Sequence, residues 1–218
     1  PPDQIMAKTI FVTGGSGFLG SVIVKLLKEK GIEDITIPRS NSCDLRIDKN
    51  CAKITKDADI VFHAAGKVGG IGYNKDHPAS VFFDNIMMDT LMMEESRKNG
   101  IEKFIAIGTV CSYPKFTPVP FSEEQIWNGY PEETNASYGL SKKMMLVQSD
   151  AYRQEYNFKS IVLVQTNLYG PEDNFDPNTS HVIPALIKKI HDAKVSKKSE
   201  IELWGDGSPS RDFLYVDD

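Results

Sequence analysis

Tyr138-Gly139-Leu140-Ser141-Lys142 sets a phenol and an ammonium four residues apart, a spacing that puts both side chains on one face of a helix. An ammonium beside a phenol stabilises the phenolate. The Tyr138 pKa is therefore expected to fall from about 10 toward neutrality, which makes the residue a proton donor to a carbonyl oxygen. A Tyr/Lys pair by itself is as readily an ordinary surface pair, so its meaning depends on its company. That company is Thr13 to Gly20, T-G-G-S-G-F-L-G, directly after the apolar run Thr9-Ile10-Phe11-Val12. Gly14, Gly17 and Gly20 carry the G-x-x-G-x-x-G spacing. Between a strand and a helix, such a turn brings backbone N–H groups and the positive end of the helix dipole against a diphosphate. The expected coenzyme cradle is Gly14, Gly15, Ser16, Gly17, Phe18, Leu19 and Gly20.

NAD sites usually place an acid at the end of the second strand, and NADP sites a cation. Here that end reads Ile37-Pro38-Arg39-Ser40-Asn41, with Arg39 and no acid, which favours NADP(H); a solvated loop charge is the plainer explanation of Arg39. Asn41, Asp44 and Leu45 lie where the adenosine end could be met. Ala64, Ala65, Ile107 and Gly108 lie at the ends of later apolar runs and are expected to meet the coenzyme too; Asn167, Leu168, Lys142 and His181 become coenzyme contacts only by the family resemblance that the motifs below carry.

These residues need a scaffold, and the sequence predicts one. Apolar runs at Thr9 to Val12, Asp34 to Ile37, Asp59 to His63, Lys103 to Ile107 and Ser160 to Gln165 read as strands. They alternate with helical patterns at Gly17 to Lys30, Lys49 to Lys56, Ala79 to Asn99 and Ser137 to Tyr156. That alternation predicts an α/β, doubly wound (Rossmann) parallel sheet. Residues 1–170 are expected to form the NADP(H)-binding domain carrying the catalytic residues. Residues 171–218 would begin a smaller lobe, with a helix from Val182 to Ala193 and a strand from Glu200 to Trp204. The chain stops at Arg211-Asp212-Phe213-Leu214-Tyr215-Val216-Asp217-Asp218, which reads as mid-fold and as an incomplete lobe.

Composition excludes several classes. The 218 residues are 40% hydrophobic with a formal net charge of −5, so a full core is expected and the long-range field would repel nucleic acid or anionic lipid. No apolar run approaches the roughly 20 residues of a membrane span, and the N-terminal P-P-D-Q-I-M is no signal peptide. A cytoplasmic location is the expectation. Cys43, Cys51 and Cys111 form no C-x-x-C pair, which predicts neither a disulfide framework nor a metal site.

With T-G-G-S-G-F-L-G, H-A-A-G at 63 to 66 and Y-G-L-S-K, the chain resembles the extended short-chain dehydrogenase/reductases. Within them, five stretches are similar to the GDP-L-fucose synthase family: K-V-G-G-I at 67 to 71, C-S-Y-P-K at 111 to 115, N-L-Y-G-P-E-D-N-F at 167 to 175, S-H-V-I-P-A-L at 180 to 186 and W-G-D-G-S-P-S-R-D-F at 204 to 213. The resemblance implies 3,5-epimerisation and NADPH-dependent 4-reduction of GDP-4-keto-6-deoxymannose. It makes Cys111 the base and His181 the acid at the carbons beside the keto group. Thr109 and Tyr138 would hydrogen-bond the C4 oxygen, and Lys142 would hold the nicotinamide ribose and tune Tyr138. Thr109 stands where the family usually has Ser, which keeps the hydroxyl and adds a methyl. Trp204 would pack near the guanine, with Lys189 and Arg211 on the diphosphate or sugar; Lys189 replaces the more usual Arg and loses its bidentate fork. A homodimer is also implied, through helices bearing Met87, Met88, Met92, Met93, Met144 and Met145, although core filling is the plainer use of methionine.

If the strand continued extended, Thr109 and Cys111 would point to one side. A lone Cys after a buried strand is otherwise a small core residue, and a lone His beside Ser180 a cap neighbour. Two other readings stay open: another nucleotide-sugar epimerase, dehydratase or reductase of the same superfamily, and a catalytically silent NADP-binding module.

Overall fold

The computed structural model describes residues 8–176, 179–203, 205–208 and 210–218. Five parallel strands, β1 (Ile10–Thr13), β2 (Ile35–Thr36), β3 (Ile60–His63), β4 (Lys103–Thr109) and β5 (Ser160–Gln165), form one sheet in the order β2-β1-β3-β4-β5. The chain therefore leaves β1 in one direction to β2 and crosses back to β3 on the other side. The crevice at that reversal, beyond the carboxyl ends of β1 and β3, is where open α/β sheets hold ligands.

All four residues of β1 are buried, because a central parallel strand is covered on both faces. Ile10 and Val12 point to one face and meet Val24 and Ile32 on and after α1 (Phe18–Glu29). Phe11 points to the other and joins Val61, Phe104, Ala106, Met92, Met93 and Met145. That second face is covered by α2 (Asp48–Thr55), α4 (Pro78–Lys98) and α5 (Ala136–Tyr156), with the short α3 (Ile71–Asp76) leading into α4. Met92, Met93 and Met145 are fully buried core.

Both long helices end by backbone rule. Asn157 closes α5 in the left-handed region at φ 53°, and Phe158 N–H donates to Tyr152 O at 3.2 Å. Gly100 at φ +71° does the same service after α4, with Ile101 N–H donating to Ser96 O at 3.0 Å. These are Schellman-type stops, which satisfy carbonyls the helix leaves unpaired.

The smaller lobe departs from expectation. Residues 200–203 are irregular, and Trp204 lies outside the described residues. The strands here are β6 (Asn167–Tyr169) and β7 (Phe213–Tyr215), paired in parallel as Asn167 with Phe213, Leu168 with Leu214 and Tyr169 with Tyr215. Helix α6 (Val182–Val195) lies between them in sequence. Among the described residues 200–203 join no sheet, whereas 213–215 pair with β6.

Candidate active site

The glycine turn is built by close approach. Gly14 has φ +70°, and a Cβ there would lie 2.7 Å from Ala64 C and Ala65 N. A Cβ on Gly20 would lie 2.1 Å from Gly14 O. These two glycines thus let the turn fold onto the start of α1 and onto the loop after β3. Gly17 is the N-cap of α1; no side chain caps that end and no acid stands in its first turn. Its free N–H groups and dipole are left for an anion. Gly15 is buried, Ser16 and Gly17 are exposed, and Phe18 and Leu19 are half-buried. The turn fits the diphosphate of a dinucleotide.

Past β2, Arg39 and Asn41 are both exposed, so a cation and no acid stands at that strand end. Asp44 is clamped by Arg46, whose Nε donates to Oδ1 at 2.9 Å and Nη2 to Oδ2 at 2.7 Å. The guanidinium and a backbone N–H hold the Asp44 carboxyl down at about 2. Arg46 Nη1 also reaches Asp84 Oδ1 at 2.8 Å, and Lys67 Nζ reaches Asp84 Oδ2 at 2.6 Å. The side chain of Leu45 is buried in the core, and its carbonyl accepts the Cys51 thiol.

Strand β4 delivers the chemistry. Ile107 and Gly108 lie in it, and it ends at Thr109. Val110–Ser112 then form a 3-10 turn, and Cys111 N–H donates to Thr109 Oγ1 at 3.2 Å. The expectation that extended backbone aligns Thr109 with Cys111 is therefore corrected: a turn, held by the Thr109 hydroxyl, brings them together. Helix α5 arrives against this turn. A Cβ on Gly139 would lie 2.1 Å from Cys111 O, and Ser112 Oγ donates to Gly139 O at 2.8 Å. Tyr138 is thus carried beside Cys111.

Burial pushes the Cys111 thiol up, while Thr109 and Arg211 pull it back. Burial likewise pushes the Tyr138 phenol well above its ordinary value, with Cys111 and Asp89 adding to the rise, although part of the side chain remains exposed. The expected fall in the Tyr138 pKa is corrected. Lys142 does not lower it because Lys142 Nζ is paired with Asp89 Oδ1 at 3.0 Å and lies 3.4 Å from Ala65 O. A phenol kept protonated at neutral pH is still an acid ready to donate.

Asp89, His63 and Thr13 escaped the sequence reading. His63 Nε2 is 2.9 Å from Asp89 Oδ1, and Thr13 Oγ1 is 2.7 Å from His63 Nδ1. All three are fully buried or nearly so. An acid inside the Met-rich pattern of α4 and a His closing an apolar strand were the available signals, since ionisable groups are rarely buried without partners.

In the smaller lobe, Asn167 and Leu168 open β6 and are half-buried. His181 is the N-cap of α6 and is exposed. Gly70 N–H donates to Thr179 O at 3.1 Å, so the K-V-G-G-I loop docks on the segment that leads to His181. Asp173 is buried, and burial raises its carboxyl against the pull of the Asn174 N–H, which donates to Oδ1 at 2.7 Å. Lys189 Nζ donates to Glu202 O at 3.1 Å, and Arg211, exposed, donates to Ser210 O at 2.8 Å. Among the described residues no group of three or more His, Cys, Asp or Glu could hold a metal ion, and no helix is long and apolar enough to cross a membrane.

The sequence pattern of the NAD dependent epimerase/dehydratase family matches residues 10–218. The chain belongs to that family. It is 39% identical over 213 residues to GDP-L-fucose synthase of Sinorhizobium fredii, covering 97% of this chain and 68% of that protein. GDP-L-fucose synthase 1 of Arabidopsis thaliana is 37% identical, over 96% of this chain and 65% of its own length. The crystal structure of a GDP-L-fucose synthetase from Naegleria fowleri bound to NADP superposes with a TM-score of 0.87 at 28% identity, covering 97% of this chain and 70% of that one. The chain thus spans about two thirds of the length of these relatives. The likeness seen in the five sequence stretches extends over nearly the whole chain.

Proposed function

We propose that this chain carries the chemistry of a GDP-L-fucose synthase: NADPH-dependent 3,5-epimerisation and 4-reduction of a GDP-4-keto-6-deoxymannose. The observation that supports the proposal is the packing of Gly139 on Cys111, because it joins the helix that carries Tyr138 to the turn that carries Cys111 beside Thr109. A plain 4-reductase needs the phenol and Lys142 but no thiol. The relatives named GDP-L-fucose synthase support the same substrate class.

A keto group at C4 acidifies the protons on C3 and C5. Cys111, as thiolate, removes one proton at each carbon and passes it to solvent before the next step, and His181, recharged from solvent, delivers one proton to the opposite face of each carbon. Thr109 Oγ1 and the Tyr138 hydroxyl hydrogen-bond the C4 oxygen while it carries negative charge. Bound NADPH supplies the hydride that reduces C4. Tyr138 then donates its proton to the new alkoxide, and burial keeps that proton in place until the oxygen becomes basic enough to take it. Lys142 holds the nicotinamide ribose, and Gly14 to Gly20 the diphosphate. Ala64 and Ala65 flank the diphosphate, while Ile107, Gly108, Asn167, Leu168 and His181 line the nicotinamide. Arg39, with Asn41, selects the 2′-phosphate, and Asp44 with the Leu45 main chain faces the adenine. Arg211, Lys189 and Trp204 face the GDP-sugar. The working enzyme is a cytoplasmic homodimer on this reading.

The test is mass spectrometry of the product formed from GDP-4-keto-6-deoxymannose and NADPH in deuterated water. Deuterium at C3 and C5 together with reduction is the expected result. Reduction without ring deuterium would mean a 4-reductase and would remove Cys111 and His181 from the chemistry. Tyr138→Phe should stop reduction while NADPH still binds.

A further inference from the structure

Thr13 and His63 are register partners on β1 and β3, so their side chains emerge side by side on the sheet face that α4 and α5 cover. Five groups close a ring there. Ala65 N–H donates to Thr13 Oγ1 at 3.3 Å, and Thr13 Oγ1 is 2.7 Å from His63 Nδ1. His63 Nε2 is 2.9 Å from Asp89 Oδ1, the same oxygen that receives Lys142 Nζ at 3.0 Å. Lys142 Nζ returns to Ala65 O at 3.4 Å.

The directions around this ring are set by chemistry. Burial favours neutral His63 over the charged form, so one ring nitrogen donates and the other accepts. The Asp89 carboxylate, ion-paired with Lys142, only accepts, so neutral His63 carries its proton on Nε2, aimed at Asp89. Nδ1 is then the acceptor and takes the Thr13 hydroxyl hydrogen, while Thr13 Oγ1 accepts from Ala65. Asp89 is fully buried, Lys142 is 3% exposed, and Asp89 Oδ2 is buried without a partner. A buried ion pair adds little net stability over an apolar pair of the same size, so packing alone does not account for it.

The ring touches both halves of the coenzyme site. Ala64 and Ala65 form the surface on which Gly14 rests, and Lys142 is the ribose-binding lysine of the reading above. Gly66, which is exposed, lies beside Lys142: a Cβ there would be 3.4 Å from Lys142 Nζ. We propose that Asp89 and His63 are positioning residues that hold the Lys142 ammonium toward the nicotinamide ribose and tie it, through Thr13 and Ala65, to the diphosphate turn. The proposal rests on the dinucleotide reading of that turn.

Two measurements on the full chain test it. In a double-mutant cycle read by NADPH fluorescence, Asp89→Asn should raise the NADPH dissociation constant at least tenfold in the wild-type background. In the Lys142→Met background the same change should alter it less than twofold. Equal losses in both backgrounds would overturn the proposal, since Asp89 would then act on the fold and not through Lys142. The second measurement uses unsubstituted protein labelled with 15N-histidine, and so survives any folding defect of the variants. His63 should appear as the neutral Nε2–H tautomer, and its resonances should shift on saturation with NADPH. A His63 signal of the other tautomer, or one indifferent to bound NADPH, overturns the proposal while leaving the coenzyme reading intact. Failure of the unsubstituted chain to bind NADPH would overturn both.

Discussion

Gly139 packs on Cys111 so closely that a Cβ at 139 would lie 2.1 Å from the Cys111 carbonyl oxygen. The contact is backbone on backbone, so no rotamer can relieve it. Gly139→Ala must push α5 off the 3-10 turn and separate Tyr138 from Cys111. Overpacking of this kind costs about 1–3 kcal/mol. Thermal unfolding should show a lowered Tm, and turnover should fall more than the stability loss alone would cause.

Cys111→Ser should abolish deuterium entry at C3 and C5 and leave NADPH binding unchanged. Because burial holds the thiol above its ordinary value, the thiolate is the minor form at neutral pH. Its share grows about tenfold per pH unit until the pKa is reached. Ring exchange measured from pH 7 to pH 9 should therefore climb with pH, and a flat profile would argue against a thiolate base.

Arg39 stands exposed where an acid would mark NAD. Arg39→Ala should weaken NADPH by about tenfold or more, the scale of one lost charge-assisted contact, and leave NADH nearly unchanged. Comparing kcat/KM for the two coenzymes reads this directly.

His63 contributes a pH dependence of stability with a definite sign. Burial lowers its pKa from 6.5, so below about pH 6.5 the unfolded chain takes up a proton that the folded chain refuses. Its contribution is fully present above that pH and declines as pH falls toward the folded-state value. Urea unfolding at pH 7.5, 6.0 and 5.0 should show the loss, and His63→Gln should flatten that part of the curve.

Much of the scaffold was legible because its signals are local. β5 was expected at Ser160 to Gln165 and runs over those residues, since an apolar β-branched run between turn signals has few alternatives. The glycine turn was legible because its glycines serve a backbone approach that each residue type declares. The strand expected at Glu200 to Trp204 was not found over 200–203, because a strand exists only with a partner. β7 was missed for the same reason: Phe213 to Tyr215 becomes a strand by meeting Asn167 to Tyr169, a pairing no local pattern announces.

The sequence by itself determined the order of elements, the diphosphate turn, the Tyr138/Lys142 pair and the family likeness, since all are written in residue types at short spacings. Only the tertiary structure decided what surrounds those residues. It closed a 3-10 turn where extended backbone was expected at Cys111. It buried the Tyr138 phenol, with Cys111 and Asp89 near it, and so turned the expected fall of its pKa into a rise. Proton affinity depends on desolvation and on nearby charges, and here those neighbours come from the turn after β4 and from α4, far from Tyr138 in the chain.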